Sequence, residues 1–438
     1  MTSARLRSLG EIFALLASLS LVATYAIAPA GGAARTSAVS RVWAEPESGY
    51  GFIDSAINDA HSSIDLSMYE LSDPTIERAL VERARRGIDV RVILNAAYEG
   101  TSENAAAASI LRAGSVHVVW APSNQIFHAK YMVIDSSTAY IGTGNFVPSD
   151  YSSTRDFWVA DTNPADVSTI VATFNGDFDH GGATGRQSGG LVWSPGSTAA
   201  LTSLIDTAHH TLLVENEEMD SATIEDALIS AARRGVSVDL VMTEDPDWTT
   251  ALDRLADAGV HVRLLSQSQI YIHAKVICAD CTTVSGTVFI GSENFSTSSL
   301  VYNRELGVIT ATPTAVRAVR AAVDADYAVG TPFQSATTTT GVVASGHGVT
   351  ITSLIASIAP GGYETLIAHT ATANDSCSLS VTLPSGYSSE SSGLGHARTS
   401  ATGNVTWNWR IGTSTDPGTA TAIVICATGR TDRSFTIT

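Results

Sequence analysis

The chain has 438 residues, of which 44% are hydrophobic and 16% charged, a balance typical of a folded protein with two or three domains rather than of a disordered chain. Its 43 acidic and 25 basic residues give a formal net charge of −18. A surface that binds a phosphate backbone along its length needs positive charge, so general binding of nucleic acid is disfavoured. Only two of the basic residues are lysines, Lys130 and Lys275.

Residues 1–30 have the pattern of an export signal. Arg5 and Arg7 precede an apolar run over Ile12–Ala28, and small residues with A-x-A spacing surround its end. We therefore expect residues 1–30 to be a signal peptide and the protein to be secreted and extracellular. An uncleaved membrane anchor is the alternative, because the run is nearly long enough to span a bilayer.

An internal duplication follows. The segment AHSSIDLSMYELSDPTIERALVERARRGIDVRVILN begins at residue 60, and AHHTLLVENEEMDSATIEDALISAARRGVSVDLVMT begins at residue 208. Each copy predicts an apolar strand, an amphipathic helix that ends at Arg-Arg-Gly, and a second apolar strand. Strands that alternate with helices predict an α/β sheet in each half. We place the repeats at residues 31–188 and 189–335, and two copies in one chain usually pack about a pseudo-two-fold axis.

Each repeat then carries a histidine and a lysine two positions apart. Residues 126–135 read IFHAKYMVID, and residues 270–280 read IYIHAKVICAD. Alternate residues of a strand face the same side, so the histidine and lysine of each copy project together. The final aspartate lies at an odd offset from the histidine, and we interpret it as a structural partner of backbone or arginine groups. The residues concerned are His128, Lys130 and Asp135 in the first copy and His273, Lys275 and Asp280 in the second.

The positions of the two lysines are the strongest functional signal. The chain uses arginine everywhere else, yet its lysines occupy corresponding points of the duplication. A lysine ammonium is compact and can contact a non-bridging phosphate oxygen without the planar fork of a guanidinium. This pattern indicates a site that holds phosphate.

Downstream of each lysine, an apolar strand ends in Gly-[Ser/Thr]-x-Asn-Phe, and a carboxylate follows eleven positions after the asparagine. Asp156 follows Asn145 at this offset, and Glu305 follows Asn294. A nucleophilic imidazole needs an acceptor that fixes its other nitrogen, as the aspartate of a catalytic triad does. We therefore take Asp156 and Glu305 as candidates for orienting the two histidines.

Two residue pairs end the first strand of each repeat, where α/β sheets expose pocket residues. These are Tyr69-Glu70 and Glu217-Glu218. Substrate contact and simple solvation of a strand end are both open for them. Tyr271 and other aromatic residues beside the motifs are more typical of the core than of a substrate entrance.

Residues 345–438 change in character, with short β-patterned runs after a linker rich in Thr, Gly and Ser. We predict an all-β, immunoglobulin-like sandwich, since Cys377 and Cys426 flank tryptophans in a loose Cys…Trp…Cys order that is typical of an inter-sheet disulfide. Cys278 and Cys281 predict a local disulfide, because no second CxxC and no suitably spaced histidines support a metal site.

The two HAKxxxxD segments, with their GTGNF and GSENF companions, resemble the phospholipase D superfamily over about residues 42–330. The resemblance implies two similar α/β halves whose motifs meet at one pocket. It also implies cleavage of phosphodiesters without a metal, through a phosphohistidine. In single-chain secreted members the amino-terminal histidine is generally the nucleophile. That assigns attack on phosphorus to His128, and general acid and later general base chemistry to His273.

The resemblance further implies that a carboxylate orients each histidine and that a set of side chains holds the phosphoryl oxygens. Thr143 departs from the usual serine, which Ser292 keeps, but its hydroxyl remains. The implied phosphate-binding set is Lys130, Lys275, Asn145, Asn294, Thr143 and Ser292.

These observations favour a secreted phospholipase D that hydrolyses glycerophospholipids to phosphatidic acid and a free headgroup alcohol. It would transfer the phosphatidyl group where another alcohol outcompetes water. An exported nuclease or other phosphodiesterase of the same superfamily is the alternative, and a non-catalytic surface-binding protein is the third hypothesis. We expect a monomer that meets phospholipid at a membrane or micelle surface, with no metal, no cofactor and no nucleic-acid partner. The headgroup cannot be read from the sequence.

Overall fold

The structure, a computed structural model, describes residues 39–97, 102–181, 185, 189–335, 348–384, 389, 391, 393–413, 415–426 and 428–438. The predicted signal peptide at residues 1–30 lies outside these residues. Within them, no helix combines the length and the apolar character that crossing a membrane requires.

The first half is a mixed sheet with helices. Its strands are β1 (Val39–Glu45), β2 (Ser63–Met68), β3 (Asp89–Leu94), β4 (His117–Trp120), β5 (Lys130–Ile134), β6 (Thr138–Gly142) and β7 (Thr154–Asp161). Its helices are α1 (Gly51–Asn58), α2 (Pro74–Arg85), α3 (Ala105–Ala113) and α4 (Pro164–His180). The strand order is β1-β7-β6-β5-β2-β3-β4, with β2, β3 and β4 parallel to one another.

The second half repeats this arrangement. Its strands are β8 (Leu191–Ser194), β9 (Thr211–Asn216), β10 (Ser237–Thr243), β11 (His261–Leu265), β12 (Tyr271–Ile272), β13 (Lys275–Ala279), β14 (Thr287–Gly291), β15 (Glu305–Thr310) and β16 (Thr331–Pro332). Its helices are α5 (Thr198–Asp206), α6 (Ala222–Arg233), α7 (Thr249–Asp257) and α8 (Pro313–Val329), with short helical turns at Pro246–Trp248 and Ser298–Tyr302. The order β16-β11-β10-β9-β13-β14-β15-β8 matches the first sheet strand for strand, apart from the added β16.

The repeated helices α2 and α6 end at the Arg-Arg-Gly segments, where the sequence predicts. Asp73 caps α2 by accepting hydrogen bonds from the backbone N–H groups of the first turn, and Ser221 caps α6 in the same way. Gly87 and Gly235 follow the two helices with φ values of 88° and 91°, a left-handed conformation that glycine adopts at little cost.

The two halves share a buried apolar core. It combines side chains from the inner faces of both sheets with side chains of α4 and α8. Tyr131 of β5 packs against Phe174 of α4 and against Trp193 of β8, with ring centroids 6.3 and 6.0 Å apart. The outer faces of the sheets are covered by α1, α2 and α3 in the first half and by α5, α6 and α7 in the second.

The C-terminal region is a sandwich of two sheets, so the predicted fold class is confirmed. The strands are β17 (Thr350–Ser353), β18 (Ser357–Ile358), β19 (Tyr363–His369), β20 (Ser376–Thr382), β21 (Gly395–Arg398), β22 (Asn404–Arg410), β23 (Gly418–Cys426) and β24 (Gly429–Ile437). One sheet has the order β17-β19-β22 and the other β18-β24-β23-β20-β21. Leu366 and Trp409 of the first sheet share a core with Leu379 and Phe435 of the second.

Both predicted disulfides are confirmed, Cys278–Cys281 and Cys377–Cys426. The expectation that the second would join the two sheets of the sandwich was wrong. Cys377 and Cys426 are directly opposed residues on the neighbouring antiparallel strands β20 and β23 of one sheet. Their side chains therefore meet across a strand pair instead of across the core.

Candidate active site

The backbone just before each histidine–lysine strand leaves its own half and pairs with the other half. The N–H groups of His128 and Ala129 both donate to the carbonyl of Arg304, each over 2.9 Å. Conversely, β12 runs parallel to β7, with Tyr271 opposite Thr154. Each histidine therefore lies beside a strand of the other half. For His128 this strand carries Glu305, and for His273 it carries Asp156.

The histidine–carboxylate pairs are crossed between the halves. His128 Nδ1 lies 3.0 Å from Glu305 Oε2, and His273 Nδ1 lies 2.8 Å from Asp156 Oδ1. The sequence indicated that these carboxylates orient histidines but not which histidine each one serves. With Nδ1 engaged in this way, Nε2 is left as the reactive nitrogen of each ring.

Both carboxylates are held by neighbouring donors and positive charges that lower their pKa values. Glu305 Oε1 accepts from the Ser299 hydroxyl over 2.7 Å and from the Asn303 amide over 3.1 Å. Burial alone would raise the pKa of Glu305, but His128 and Lys130 outweigh it and hold that pKa below its ordinary value. For Asp156 burial is likewise outweighed, chiefly by His273, and its pKa is also lowered.

Thr143 and Ser292 do not take the predicted phosphate-binding position. Both side chains are fully buried behind the orienting carboxylates. The Thr143 hydroxyl donates to Asp156 Oδ1 over 2.5 Å and accepts from the backbone N–H of Phe157. The Ser292 hydroxyl accepts from the N–H of Leu306, next to Glu305. They therefore support the acceptors of the histidines, and the sequence expectation is corrected on this point.

Both lysines are fully buried, and their ammonium groups have different neighbours. Lys130 donates to the carbonyl of His128 over 2.6 Å and lies 4.8 Å from the centroid of the Tyr69 ring. Lys275 donates to Glu217 Oε2 over 2.8 Å and to the carbonyl of His273. Burial lowers the pKa of Lys130 to about 7, although the Glu305 carboxylate opposes this shift.

His128 is held in a state that suits a nucleophile. Burial lowers its pKa to about 4, and Glu305 only partly offsets that effect. The imidazole is therefore neutral at neutral pH, with a lone pair on one nitrogen. The Tyr69 ring packs against the His128 ring at 4.7 Å between centroids and restricts its orientation.

The two motif asparagines have side-chain oxygens without a partner among the described residues. The side-chain oxygens of Asn145 and Asn294 are buried and accept no hydrogen bond from any residue that the structure describes. Buried polar atoms normally have a partner, so each of these oxygens indicates a place for a ligand group that donates a hydrogen bond. By contrast, Asp135 and Asp280 accept backbone hydrogen bonds at the opposite end of their strands, from residues 61–63 and 209–211 respectively.

A cavity of about 430 Å³ opens beside His273 and Asn145. The remaining lining residues are Tyr50, Asp150, Ser153, Thr154, Asp156, Gln267 and Tyr271. Tyr271 was expected in the core, but its half-exposed side chain lines this cavity and its hydroxyl donates to Glu217 Oε1 over 2.8 Å.

Sequence reasoning missed a second pair of crossed contacts. Arg155 and Arg304 immediately precede the orienting carboxylates. Arg155 forms a bidentate ion pair with Asp326 of α8, and Arg304 binds Asp177 of α4 over 3.0 Å. All four side chains are buried. A signal was present, because both members of each pair recur at the offset of 149 residues that relates Asp156 to Glu305.

One group of potential metal ligands occurs among the described residues, Asp375, Cys377 and Cys426. Both cysteines are bonded to each other in a disulfide, so neither offers a thiolate. Around His128 and His273 the two buried lysine side chains offer donors for phosphoryl oxygens, and the carboxylates there are already paired with the histidines and with Lys275.

Comparison with protein families finds a model described as cardiolipin synthase, PLD-like domain. It matches the chain twice, over residues 53–180 and 201–327. Comparison with curated proteins finds no match.

Among solved structures, polyphosphate kinase from Porphyromonas gingivalis has a TM-score of 0.56 and 18% identity. The match covers 67% of this chain and 48% of the kinase, so the chain spans about half the kinase's length. Phosphatidylserine synthase from Haemophilus influenzae has a TM-score of 0.54 and 12% identity, over 69% of this chain and 90% of the synthase. Nuc, a phospholipase D family member from Salmonella typhimurium, is 26% identical over 33% of this chain and 97% of its own, with a TM-score of 0.30. The first two likenesses show a shared fold.

Proposed function

Because the chain belongs to the family of phospholipase D-like domains, which matches both of its halves, we propose that it is a secreted phospholipase D acting on glycerophospholipids. Family membership supports a phosphodiesterase-type activity. The observation that carries the proposal is the crossed pair of histidine–carboxylate contacts with two buried lysines beside them. This arrangement supplies a nucleophile, a proton donor and fixed positive charge at one site.

In the first step, His128 Nε2 attacks the phosphorus and the bond to the headgroup oxygen breaks. The neutral ring that burial favours has its other proton directed at Glu305, which stabilises the positive charge that develops on the imidazole. His273 donates a proton to the departing alkoxide, so that the headgroup leaves as a neutral alcohol.

In the second step, His273 takes a proton from water as the water oxygen attacks phosphorus, and the bond between phosphorus and His128 breaks. Phosphatidic acid and the free enzyme result. An alcohol in place of water gives a new phosphodiester by the same proton transfer. Lys130 and Lys275, with the amides of Asn145 and Asn294, supply preorganised donors to the phosphoryl oxygens in both steps.

The acidic character of the chain favours lipid over nucleic acid as substrate. The net charge is −18, and Glu217 and Glu218 directly follow β9, the strand that pairs with the strand of Lys275. A nucleic-acid strand brings a row of negative charges to such a surface, whereas a phospholipid brings a single diester. The proposal of export rests on the sequence pattern of residues 1–30.

The test uses mature protein with EDTA, vesicles of phosphatidylcholine or phosphatidylethanolamine, and plasmid DNA, each with and without ethanol. Release of the headgroup alcohol, together with phosphatidylethanol when ethanol is present, supports the proposal. Nicking of DNA without lipid turnover moves the function to a nuclease. His128→Ala should abolish turnover, while His117→Ala, which changes an exposed histidine of the same half, serves as the matched control. Equal rates from both variants contradict the mechanism.

A further inference from the structure

The two halves place different side chains beside their orienting carboxylates. Glu45 of β1 lies directly opposite Asp156 of β7, and Ser194 of β8 lies directly opposite Glu305 of β15. Opposed residues of antiparallel strands project from the same face of the sheet, with Cβ atoms about 4.5–5.5 Å apart. Asp156 therefore has a second carboxyl group as its cross-strand neighbour, whereas Glu305 has a hydroxyl.

The hydroxyl of the second half takes part in a chain of hydrogen bonds without charge. Ser194 donates to the carbonyl of Ser299, and the Ser299 hydroxyl donates to Glu305 Oε1 over 2.7 Å. Because a serine hydroxyl is neutral throughout the physiological pH range, it cannot change the charge beside Glu305. Glu45, by contrast, can gain or lose a negative charge next to Asp156.

Glu45 is fully buried, and neither of its carboxyl oxygens has a well-formed hydrogen bond to a described residue. Burial raises the pKa of Glu45 to about 7, and the negative charges of Asp156 and Glu47 add to this effect. The backbone of Gly49 and the guanidinium of Arg155 oppose the rise only in part. Glu45 therefore changes its ionisation near neutral pH.

The other groups around Glu45 keep a constant charge in this pH range. Arg155 binds two carboxylates and stays positive, and the same guanidinium lowers the pKa of Glu47, which stays ionised. Two nearby tyrosines stay neutral because burial raises the pKa of each phenol. The pair of Asp156 with His273 is therefore the neighbour whose protonation can change together with that of Glu45. The titratable groups that interact with Glu45 are Glu47, Tyr50, Tyr151, Arg155 and Asp156.

We propose that Glu45 is a positioning residue for the general acid: its ionised carboxylate adds a second negative charge beside Asp156 and so holds His273 in the protonated form that donates to the leaving alcohol. This inference rests on the function proposed above. The coupling is reciprocal, because an ionised Glu45 favours the imidazolium of His273 and the imidazolium favours an ionised Glu45.

The difference between the halves matches the different roles of the two histidines. His128 must be neutral to attack phosphorus, and the neutral Ser194 adds no negative charge beside its partner Glu305. His273 must carry a proton before the headgroup can leave, and an ionised Glu45 favours that proton. Each half therefore has the cross-strand neighbour that suits the task of its orienting carboxylate.

The experiment measures kcat/KM from about pH 5 to pH 9 for phosphatidylcholine and phosphatidyl-p-nitrophenol with the same acyl chains in mixed detergent micelles. Choline needs a proton as it leaves, whereas p-nitrophenolate does not. The ratio of the two values therefore reports the general acid and cancels the contributions of His128 and Lys130. For Glu45→Gln we expect this ratio to fall at a pH about one unit lower than in the wild type, so that it is about tenfold smaller on the falling limb.

Three further variants serve as controls. Glu45→Asp keeps a carboxylate and should restore most of the wild-type profile of the ratio. Glu45→Ser introduces the side chain that the second half carries at the equivalent position, and it should behave like Glu45→Gln. Glu82→Gln removes an exposed carboxylate of the same half and should leave the profile unchanged.

The pH dependence separates an electrostatic role from a structural one. A ratio that is unchanged at every pH in Glu45→Gln would overturn the inference, because Glu45 would then have no influence on the general acid. A ratio lowered by the same factor at every pH would indicate a displaced His273 and would overturn it too. If Glu45→Gln and Glu45→Ser both lose release of p-nitrophenolate, Glu45 maintains the structure of the site and the inference is wrong.

The wild type tests the proposed function independently of Glu45. A wild type that cleaves bis(p-nitrophenyl) phosphate but neither lipid refutes the phospholipase function alone. The ratio is then measured between thymidylyl-thymidine, whose leaving group is an alcohol, and bis(p-nitrophenyl) phosphate, and the same shift in Glu45→Gln is expected. A wild type that cleaves none of these diesters refutes both the function and the inference.

Discussion

Asp156→Asn and Glu305→Gln should impair different catalytic roles, proton donation by His273 and attack by His128, because each carboxylate serves the histidine of the other half. Glu305 Oε2 lies 3.0 Å from His128 Nδ1. Because the Glu305 side chain is fully buried, bulk water cannot take over this hydrogen bond in the variant. Loss of one charge-assisted hydrogen bond should raise the activation free energy by about 1.5–3 kcal/mol, which lowers the rate roughly 10- to 10²-fold. The amide of the Glu305→Gln variant can also donate to Nδ1, which places the imidazole proton on Nε2 and removes the lone pair that attacks. The total decrease in kcat should then approach about 10⁴-fold.

The assay is the pre-steady-state burst of p-nitrophenolate from phosphatidyl-p-nitrophenol, compared with release of choline from phosphatidylcholine. A p-nitrophenolate leaving group needs no general acid. Glu305→Gln should therefore slow the first step with both substrates, whereas Asp156→Asn should slow it with phosphatidylcholine and leave the burst rate nearly unchanged. A burst slowed by Asp156→Asn and spared by Glu305→Gln would reverse the roles of the two histidines. Equal losses in both variants with both substrates would refute the division of labour.

Two further predictions follow from buried charges. kcat/KM should rise with pH as His128 loses its proton at a pKa of about 4, and it should fall again as Lys130 loses its proton at a pKa of about 7. A value of kcat/KM that stays constant up to pH 9 would contradict the need for a charged Lys130. Asp177→Ala, which removes the ion-pair partner of Arg304, should lower the free energy of unfolding in urea by about 3–5 kcal/mol. Asp324→Ala, at an exposed pair, should change it by less than about 1 kcal/mol, and similar values for the two variants would show that the buried pair is not important.

The fold was predictable because its signals are local and occur twice. The strand–helix–strand pattern and the Arg-Arg-Gly helix ends define both sheets. The histidine–lysine spacing was less informative, because β5 and β13 begin at the lysines and each histidine lies just before its strand instead of on it. The pairing of cysteines could be predicted as well. That the Cys377–Cys426 disulfide lies within one sheet could not be predicted, because strand order depends on hydrogen bonds between segments that are distant in sequence.

The arrangement of the site depends on contacts between the halves, which an offset within one repeat cannot reveal. An interval of eleven residues after Asn145 and after Asn294 is the same whether each carboxylate serves its own histidine or the other one. Likewise, nothing in the residue type of Thr143 distinguishes a hydroxyl that faces phosphate from one that supports Asp156. The ion pair of Glu217 with Lys275 joins residues 58 positions apart, on strands whose adjacency only the fold establishes.

Covalent fusion of the two repeats has a consequence for how such a site can evolve. If two identical subunits met at this interface, symmetry would give both histidines the same surroundings, and every substitution would occur twice. A single chain carries two independent copies of the gene segment, so position 69 can be tyrosine while position 217 is glutamate. Because each histidine still depends on a carboxylate from the neighbouring repeat, the copies can diverge in specificity while selection keeps them together as one catalytic unit.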